Sequence, residues 1–374
     1  MTKLHVENWD GIRRLQTVSG IETITIDARR IKFDGLLPVA LRRGFAAIVP
    51  GGHITIIDDG RGQSEPPVLD LTFNQVRQIV LKFLGGGCEL TDLDESGRIT
   101  MRRTQDPLLA GWSAGVMYSG QRSEESTMRQ CLDALIAQRE LTIDGGEIVV
   151  CGPSWGHRDF LSSYPGVAYL AFDEAEDGHG RFLLAKKKNA LADHLTHDRM
   201  ILLHSRIVLA PDTLSQVPHE FDILSPNIMR TRRNGRQESY MSLAQIDRPW
   251  PGYMLKRRTL MLRDMPQCDP LRLLAEGPCY VDGGAVFVTR PVLDACRMDD
   301  RLGWAEGEDV DWCMRAFLAG FVSDLAINAS ARSLTSKWAD RTLPESVERL
   351  GRRATVLMQQ LKGRLRQAAR SSQK

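Results

Sequence analysis

Apolar positions in the first hundred residues switch between the spacing of a strand and the spacing of a helix. Ile21 to Ile26 alternates with period two, which predicts a strand that ends at Asp27. In order, we predict a strand at 21–27, a helix at 37–45, a turn at 49–52, a strand at 53–57, a helix from 72 to 84 and a strand at 98–103. This alternation predicts an α/β segment over residues 1–105.

The pattern restarts after a junction at residues 106–112. Short apolar runs typical of buried parallel strands stand at 114–118, 147–151, 167–172 and 200–203. Helix-spaced residues begin near Ser123 and again at Lys186, so the run forms βαβ units. Residues 226–278 are polar and rich in Arg and Pro, which predicts an irregular and functional or mobile segment.

An acidic turn leads into an amphipathic helix between Trp304 and Phe321. Glu306, Glu308 and Asp309 precede apolar residues at helical spacing, and Gly320 supplies the stop. Carboxylates also favour helix starts simply because they cap N–H groups there. The acids therefore have a structural and a catalytic interpretation.

Composition places the chain among globular proteins. Its 374 residues are 42% hydrophobic and 26% charged, with a net charge of +2, so we expect no nucleic-acid partner. No run of 18 apolar residues and no apolar signal core are present, and we expect a cytoplasmic protein. Seven scattered cysteines without a Cys-x-x-Cys pair indicate small core residues in a reducing compartment.

From Ser113 to about Ala331 the sequence resembles the inverting GT-A-fold glycosyltransferases of the family 2 type. The blocks that carry the resemblance occur in the family's order at 114–138, 147–151, 188–192, 200–203, 282–288 and 307–311. The resemblance implies a mixed α/β sheet flanked by helices over residues 113–335. It also implies a nucleotide-sugar donor and a glycan or lipid-linked acceptor.

The resemblance assigns roles to residues in these blocks. Asp309 is the implied catalytic base, with Glu308 beside it, because inverting transfer needs a carboxylate to take the acceptor's proton. Lys188 is expected near the diphosphate, although a Lys run is also typical of a solvated helix face. Gly283 and Gly284 are expected to let the backbone pass close to donor or acceptor, or to form an ordinary turn.

Two departures from the family pattern affect the donor site. The family's Asp-x-Asp, which binds Mg²⁺ or Mn²⁺, is replaced by His204-Ser205-Arg206. His204 remains a possible metal ligand, but metal dependence is doubtful, and Arg206 is a candidate to contact the diphosphate directly. The Asp that usually contacts the nucleotide is replaced at Cys151, which leaves base recognition open.

Two segments outside the glycosyltransferase-like region have predicted features of their own. Residues 41–58 resemble the C-terminal half of class I S-adenosylmethionine-dependent methyltransferases, but the Gly-rich cofactor turn is missing, so we expect no working cofactor site. Residues 340–374 predict a basic amphipathic helix that suits peripheral contact with a membrane, or a terminal helix that is solvated, packed on the domain or partly frayed.

Three functions follow from these observations. The first is a glycosyltransferase that acts in surface polysaccharide or glycolipid synthesis. The second is a GT-A-like scaffold protein that has lost catalysis. The third is a methyltransferase completed by a partner chain.

Overall fold

The chain forms two main α/β sheets that pack against each other. The computed structural model describes residues 2–31, 36–58, 71–94, 97–109, 111–174, 183–231, 237–239, 242–249, 253–259, 270–302 and 306–334. We call residues 2–109 the N-terminal unit and residues 111–334 the main unit. Cys268 and the predicted helix at 340–374 lie outside the described residues.

The N-terminal unit is a five-stranded sheet with helices beside it. Its strands are Lys3–Val6 (β1), Ile21–Asp27 (β2), Ile48–Ile57 (β3), Cys88–Asp94 (β4) and Arg98–Arg103 (β5). Its helices are Trp9–Leu15 (α1), Ala28–Ile31 (α2), Leu37–Ala47 (α3) and Phe73–Leu84 (α4). The strand order is β1-β2-β3-β5-β4, with β1, β2 and β3 parallel and the other pairs antiparallel.

The predicted turn at 49–52 is wrong, because these residues are part of β3. The strand begins at Ile48, and its register with β2 shifts opposite Glu22. Gly51 has φ of 77°, and a Cβ at Gly52 would lie 2.8 Å from the carbonyl oxygen of Glu22. The two glycines therefore allow an irregularity inside a strand, which a sequence pattern does not distinguish from a turn.

The main unit contains the larger sheet. Its strands are Trp112–Met117 (β6), Glu147–Gly152 (β7), Val167–Ala171 (β8), Arg199–His204 (β9), Ile207–Leu209 (β10), Ile223–Thr231 (β11), Gln237–Ser239 (β12), Leu243–Pro249 (β13), Tyr253–Thr259 (β14), Cys279–Val281 (β15), Ala285–Thr289 (β16) and Ser323–Ser333 (β17). Its helices are Glu125–Ile136 (α5), Arg139–Thr142 (α6), Leu184–His194 (α7), Pro270–Ala275 (α8), Arg290–Ala295 (α9) and Glu308–Leu318 (α10).

The large sheet is mixed, in the order β10-β17-β11-β16-β9-β6-β7-β8 with β12 beside β11. Strands β9, β6, β7 and β8 are mutually parallel, so their carboxyl ends lie at one edge. Strand β16 runs antiparallel to β9 and brings the turn before it to the same edge. The predicted α/β class, a mixed sheet flanked by helices, is confirmed.

The prediction of an irregular segment at 226–278 is wrong for most of its described residues. It contains most of β11, all of β12 to β14 and helix α8, and β13 pairs with β14 and β15 in a separate three-stranded sheet. Frequent Arg and Pro residues hid these strands, because β-pairing depends on partners that are distant in the sequence.

The two units share one apolar core. A single cluster of buried residues joins the N-terminal sheet to the face of the large sheet that carries α7, α9 and α10, and a second cluster fills the opposite face under α5. The division into domains at 1–105 and 113–335 therefore stays a prediction. No helix in the described ranges is both long and apolar enough to cross a membrane.

Helix α4 begins with a reciprocal cap that offers a test of the N-terminal unit. Thr72 Oγ1 accepts from the backbone N–H of Gln75, whose side chain accepts from the N–H of Thr72. We expect Thr72→Ala to lower the free energy of unfolding by about 1 kcal/mol in urea denaturation, and Thr72→Ser to leave it nearly unchanged. Equal loss in both variants would contradict the role of the hydroxyl.

Candidate functional site

The site lies at the carboxyl edge of the parallel strands. His204 at the end of β9 and Cys151 at the end of β7 both align with Met117 of β6. The turn at 282–284 and the first residues of α10 reach the same edge. The topology therefore brings together segments that are more than a hundred residues apart in the sequence.

Helix α7 buries two consecutive lysines. Lys187 and Lys188 are 1% and 0% exposed, although both side chains carry a charged amine. They lie on the buried face because they follow Leu184 by three and four residues and precede Leu191 by four and three. The interpretation of this run as a solvated helix face is therefore wrong for Lys188.

The buried amine of Lys188 pairs with the first residue of α10. Its Nζ lies 3.3 Å from Oε1 of Glu308, which is itself 5% exposed. A buried charge is stable only when a partner offsets its lost hydration, so each of these residues requires the other. Lys188 thus holds the acidic helix start and, in this structure, has no surface with which to contact a diphosphate.

Gly283 covers this pair. A Cβ at Gly283 would lie 2.9 Å from Nζ of Lys188 and 3.1 Å from carboxylate oxygens of both Glu308 and Asp309. A side chain at this position would make the ends of these charged groups shift, because the backbone of Gly283 packs directly on them. This is a different reason from the close approach to donor or acceptor expected from the sequence.

Asp309 is the more accessible of the two acids. It is half-buried, Oδ2 accepts from the N–H of Gly283 at 3.0 Å, and Oδ1 accepts from the N–H of Val310 at 2.9 Å. These two bonds fix the direction of the carboxylate at the positive end of the helix dipole. Helix α10 begins after Gly307, whose φ is 77°.

His204 and Arg206 contact each other beside the second glycine. The backbone N–H of His204 donates to the carbonyl of Gly284 at 2.9 Å, and Arg206 Nη1 donates to Nδ1 of His204 at 2.7 Å. The N–H of Gly284 donates to Oδ1 of Asp282 at 2.8 Å. Arg206 is partly exposed as a residue, in contrast to the buried Lys188 and His204, although its Nε is buried.

The donor set around His204 does not fit a divalent cation. The lone pair of Nδ1 accepts a bond from Arg206, whose positive charge would repel a metal ion at the same place. Within the part of the chain that the structure describes, no group of three or more His, Cys, Asp or Glu residues could hold a metal. The expectation of a metal at His204 receives no support from this geometry.

Cys151 lies below the surface of the site. Its side chain is fully buried, and burial raises the pKa of its thiol to about 11, with the charge of Lys187 acting in the opposite direction. At neutral pH the group is therefore a protonated core thiol. A nucleotide contact through Cys151 remains a prediction from its place in the sequence.

Sequence reasoning missed two residues that hold this edge together. Lys187 Nζ donates to the carbonyl of Tyr118 at 2.7 Å, directly after β6. Glu124 Oε2 accepts from the N–H of Ser119 at 3.1 Å and from the hydroxyl of Ser205 at 3.4 Å, which joins the loops after β6 and β9. Helical spacing was a signal for Lys187, whereas no local pattern indicated Glu124.

Comparisons with known proteins give structural likeness alone. No protein-family model matches the chain, and no curated protein matches it. Among solved structures, GalNAc-T7 with UDP, GalNAc and Mn²⁺ is 14% identical at a TM-score of 0.44, over 75% of this chain and 59% of that one. The present chain thus spans less than two thirds of that protein.

Two further solved structures are similar to more than half of the chain. S. aureus TarS 1-349 with UDP-GlcNAc is 13% identical at a TM-score of 0.39, covering 63% of this chain and 62% of that one. The mannosyltransferase PcManGT from Pyrobaculum calidifontis with GDP-Man and Mn²⁺ is 13% identical at 0.38, covering 60% and 57%. Likeness at these low identities and TM-scores assigns no function to the chain.

The contribution of the buried Lys188–Glu308 pair to stability can be tested on helix α7, because Lys186 of the same helix forms a surface pair that serves as the control. We expect Lys188→Met to lower the free energy of unfolding by about 3 kcal/mol, because Glu308 stays buried without its partner. Lys186→Met removes an exposed pair with Glu174 and should cost less than about 1 kcal/mol in the same denaturation. A loss in Lys188→Met no larger than in Lys186→Met would contradict this account.

Proposed function

We propose that the chain is a glycosyltransferase that moves a sugar from a nucleoside diphosphate donor to an acceptor hydroxyl. The observation that carries the proposal is the meeting of Asp309, Glu308, Lys188, Gly283 and Arg206 at the carboxyl edge of the parallel strands. Ligands of open α/β sheets bind at this edge. A carboxylate and an accessible cation there are the two groups that sugar transfer requires.

Asp309 acts as the base in this proposal. Its carboxylate takes the proton of the acceptor hydroxyl while that oxygen forms a bond to the anomeric carbon. The bond between this carbon and the diphosphate oxygen breaks, and its electron pair leaves with the nucleoside diphosphate. Attack opposite the leaving group inverts the anomeric configuration, so one base suffices and no covalent sugar intermediate is required.

Arg206 offsets the charge of the leaving diphosphate. A guanidinium can donate two parallel hydrogen bonds to phosphate oxygens, and a partly exposed Arg at this edge is placed to do so. His204 orients it by accepting from Nη1. Glu308 and Lys188 fix the start of α10 from below and do not touch the substrate.

The wider context of the reaction rests on the resemblance found in the sequence. It favours a glycan or lipid-linked acceptor and a role in surface polysaccharide or glycolipid synthesis. The methyltransferase-like character of residues 1–105 and a membrane contact through residues 340–374 remain predictions. A scaffold without catalysis is the second candidate, favoured by the internal pairing of Lys188 with Glu308.

Donor binding should not require a divalent cation. We expect one of UDP, GDP, CMP or dTDP to bind in calorimetric titrations with EDTA, and binding to weaken at least tenfold in Arg206→Ala but less in Arg206→Lys, which keeps the charge. Binding that appears only with Mn²⁺ or Mg²⁺ would contradict the role of Arg206. A folded protein that binds none of the four would favour the scaffold.

The catalytic role of Asp309 can be tested separately from its contribution to the stability of helix α10. We expect Asp309→Asn to reduce turnover by at least about 100-fold with donor affinity unchanged, because proton transfer by a positioned group contributes 10²–10⁴ in rate. Asp311→Asn is the matched control, since Asp311 lies in the same helical turn and pairs with Arg315. Similar turnover losses in both variants would exclude a specific role for Asp309.

A further inference from the structure

The helix that carries the acids ends against the N-terminal unit. Gly320, two residues after α10, has φ of 98°, and a Cβ there would lie 2.3 Å from the carbonyl oxygen of Lys82 in α4. One turn earlier, the rings of Phe317 and Phe83 pack with their centroids 5.2 Å apart. The backbones of the two helix ends therefore meet as closely as a glycine permits.

One arginine connects the same two helix ends. From the N-terminal unit, Arg42 Nη1 donates to the carbonyl of Phe83 at 3.0 Å, while its Nε and Nη2 donate to Asp222 at 2.9 and 2.6 Å. Asp222 Oδ2 also accepts from the backbone N–H of Val322 at 2.9 Å. Arg42 thus links the last turn of α4 to the segment that follows α10.

The Arg42–Asp222 pair lies between two clefts at the junction of the units. Two clefts, of about 280 and 310 Å³, lie between the units, and both are lined by Arg42, Ala46 and residues 220–222. Packing is interrupted on either side of the Arg42–Asp222 pair. The pair and the contacts of Phe317 and Gly320 therefore fix the end of α10 at this junction.

A shift at one end of α10 reaches the other end. The helix has 11 residues, a length of about 16 Å, and is too short to absorb a displacement by bending. Its middle is anchored to the main unit by Trp312, which is fully buried and donates to the carbonyl of Cys296 at 2.7 Å. Arg315 of the same helix also donates to the carbonyl of Arg297 at 2.7 Å, so loss of the far anchor would act on a helix that is still held to the main unit at its middle.

We propose that the N-terminal unit is a positioning element for the acidic site, and that Arg42 and Asp222 set the axial placement of α10. Asp309 then keeps its bond to Gly283, and Glu308 keeps its pair with Lys188. The catalytic consequence rests on the proposed function, whereas the placement of the helix does not. In this proposal the described residues of the unit supply no group to the reaction, and the unit acts through α10.

A second arginine pair provides a matched control. Arg103 of the N-terminal unit donates two bonds to Glu220, at 2.7 and 2.8 Å, only two residues from Asp222. This pair also joins the units and is largely buried. In contrast to Asp222, Glu220 receives no bond from the segment after α10 among the described contacts, so Glu220→Gln loosens the junction without releasing the helix.

The direct test is amide hydrogen exchange, which needs no substrate. In Asp222→Asn we expect exchange in residues 282–284 and 308–312 to become at least tenfold faster, while β6 stays unchanged as internal reference. In Glu220→Gln we expect no such change. Equal exchange of these residues in the two variants, whether fast or slow, would overturn the proposal, because the helix would then not depend on Asp222.

A milder variant covers the case in which Asp222→Asn fails to fold. Phe317→Leu removes the ring contact with Phe83, and Phe160→Leu is its control in the apolar core under α5. We expect faster exchange at 308–312 in Phe317→Leu alone. Protection there equal to that of the wild type would overturn the proposal.

Kinetics then separate positioning from general weakening. If the chain transfers sugar as proposed, Asp222→Asn should lower kcat at least tenfold with the donor KM unchanged, and Glu220→Gln should lower neither. An exchange result as expected but no turnover in the wild type would refute the proposed function and leave the positioning of α10 intact. An unchanged kcat in Asp222→Asn, with an active wild type, would overturn the catalytic part of the inference.

Discussion

The burial of one lysine sets the arrangement of the candidate site. Lys188 is completely enclosed and lies 3.3 Å from Glu308, and a charge so placed is tolerated only with an opposite charge beside it. This requirement brings the start of α10 onto α7. It also brings the pair against Gly283, where a Cβ would lie 2.9 Å from Nζ of Lys188 and would make the ends of these side chains shift. Asp309 follows Glu308 and is directed to the surface as a result.

The same edge of the sheet carries a cation in the place where the sequence resemblance leads one to expect carboxylates. Arg206 donates to His204 and remains partly exposed, so a permanent positive charge stands where a metal site would need oxygen ligands. A guanidinium brings its charge without a bound ion and donates along fixed directions. In the proposed mechanism the protein itself compensates the charge of the leaving group, and a carboxylate on a separate element is the base.

Local sequence patterns predicted many of the helices and strands, but they did not predict which distant strands pair with each other. Helix α10, with acids at its start and Gly320 at its end, and the strand Arg98–Arg103 follow from spacing and capping. Spacing also carried the signal that Lys188 lies on the buried face of α7, but a run of three lysines is equally typical of a solvated helix face. The placement of β17 beside β11 and the sheet of β13 to β15 depend on partners that spacing does not reveal.

The connection between the units was equally invisible in the sequence. Arg42, Asp222 and Val322 are far apart along the chain, and no pattern singles out one of many arginines. The resemblance of residues 41–58 to the C-terminal half of a methyltransferase predicts only that a cofactor site is missing, and it stays a prediction. The structure shows that this unit packs on the end of the acidic helix, a contact that only the tertiary structure reveals.

The most direct measurement is a crystal structure of the complex with the nucleoside diphosphate that binds most tightly, grown in EDTA. The proposed mechanism predicts diphosphate oxygens at about 2.8 Å from the guanidinium of Arg206, at the carboxyl ends of β6 and β9, with Asp309 on the opposite side of the sugar, where the acceptor hydroxyl attacks. A nucleotide bound in the clefts between the units, or one that requires a metal ion and does not touch Arg206, would contradict it.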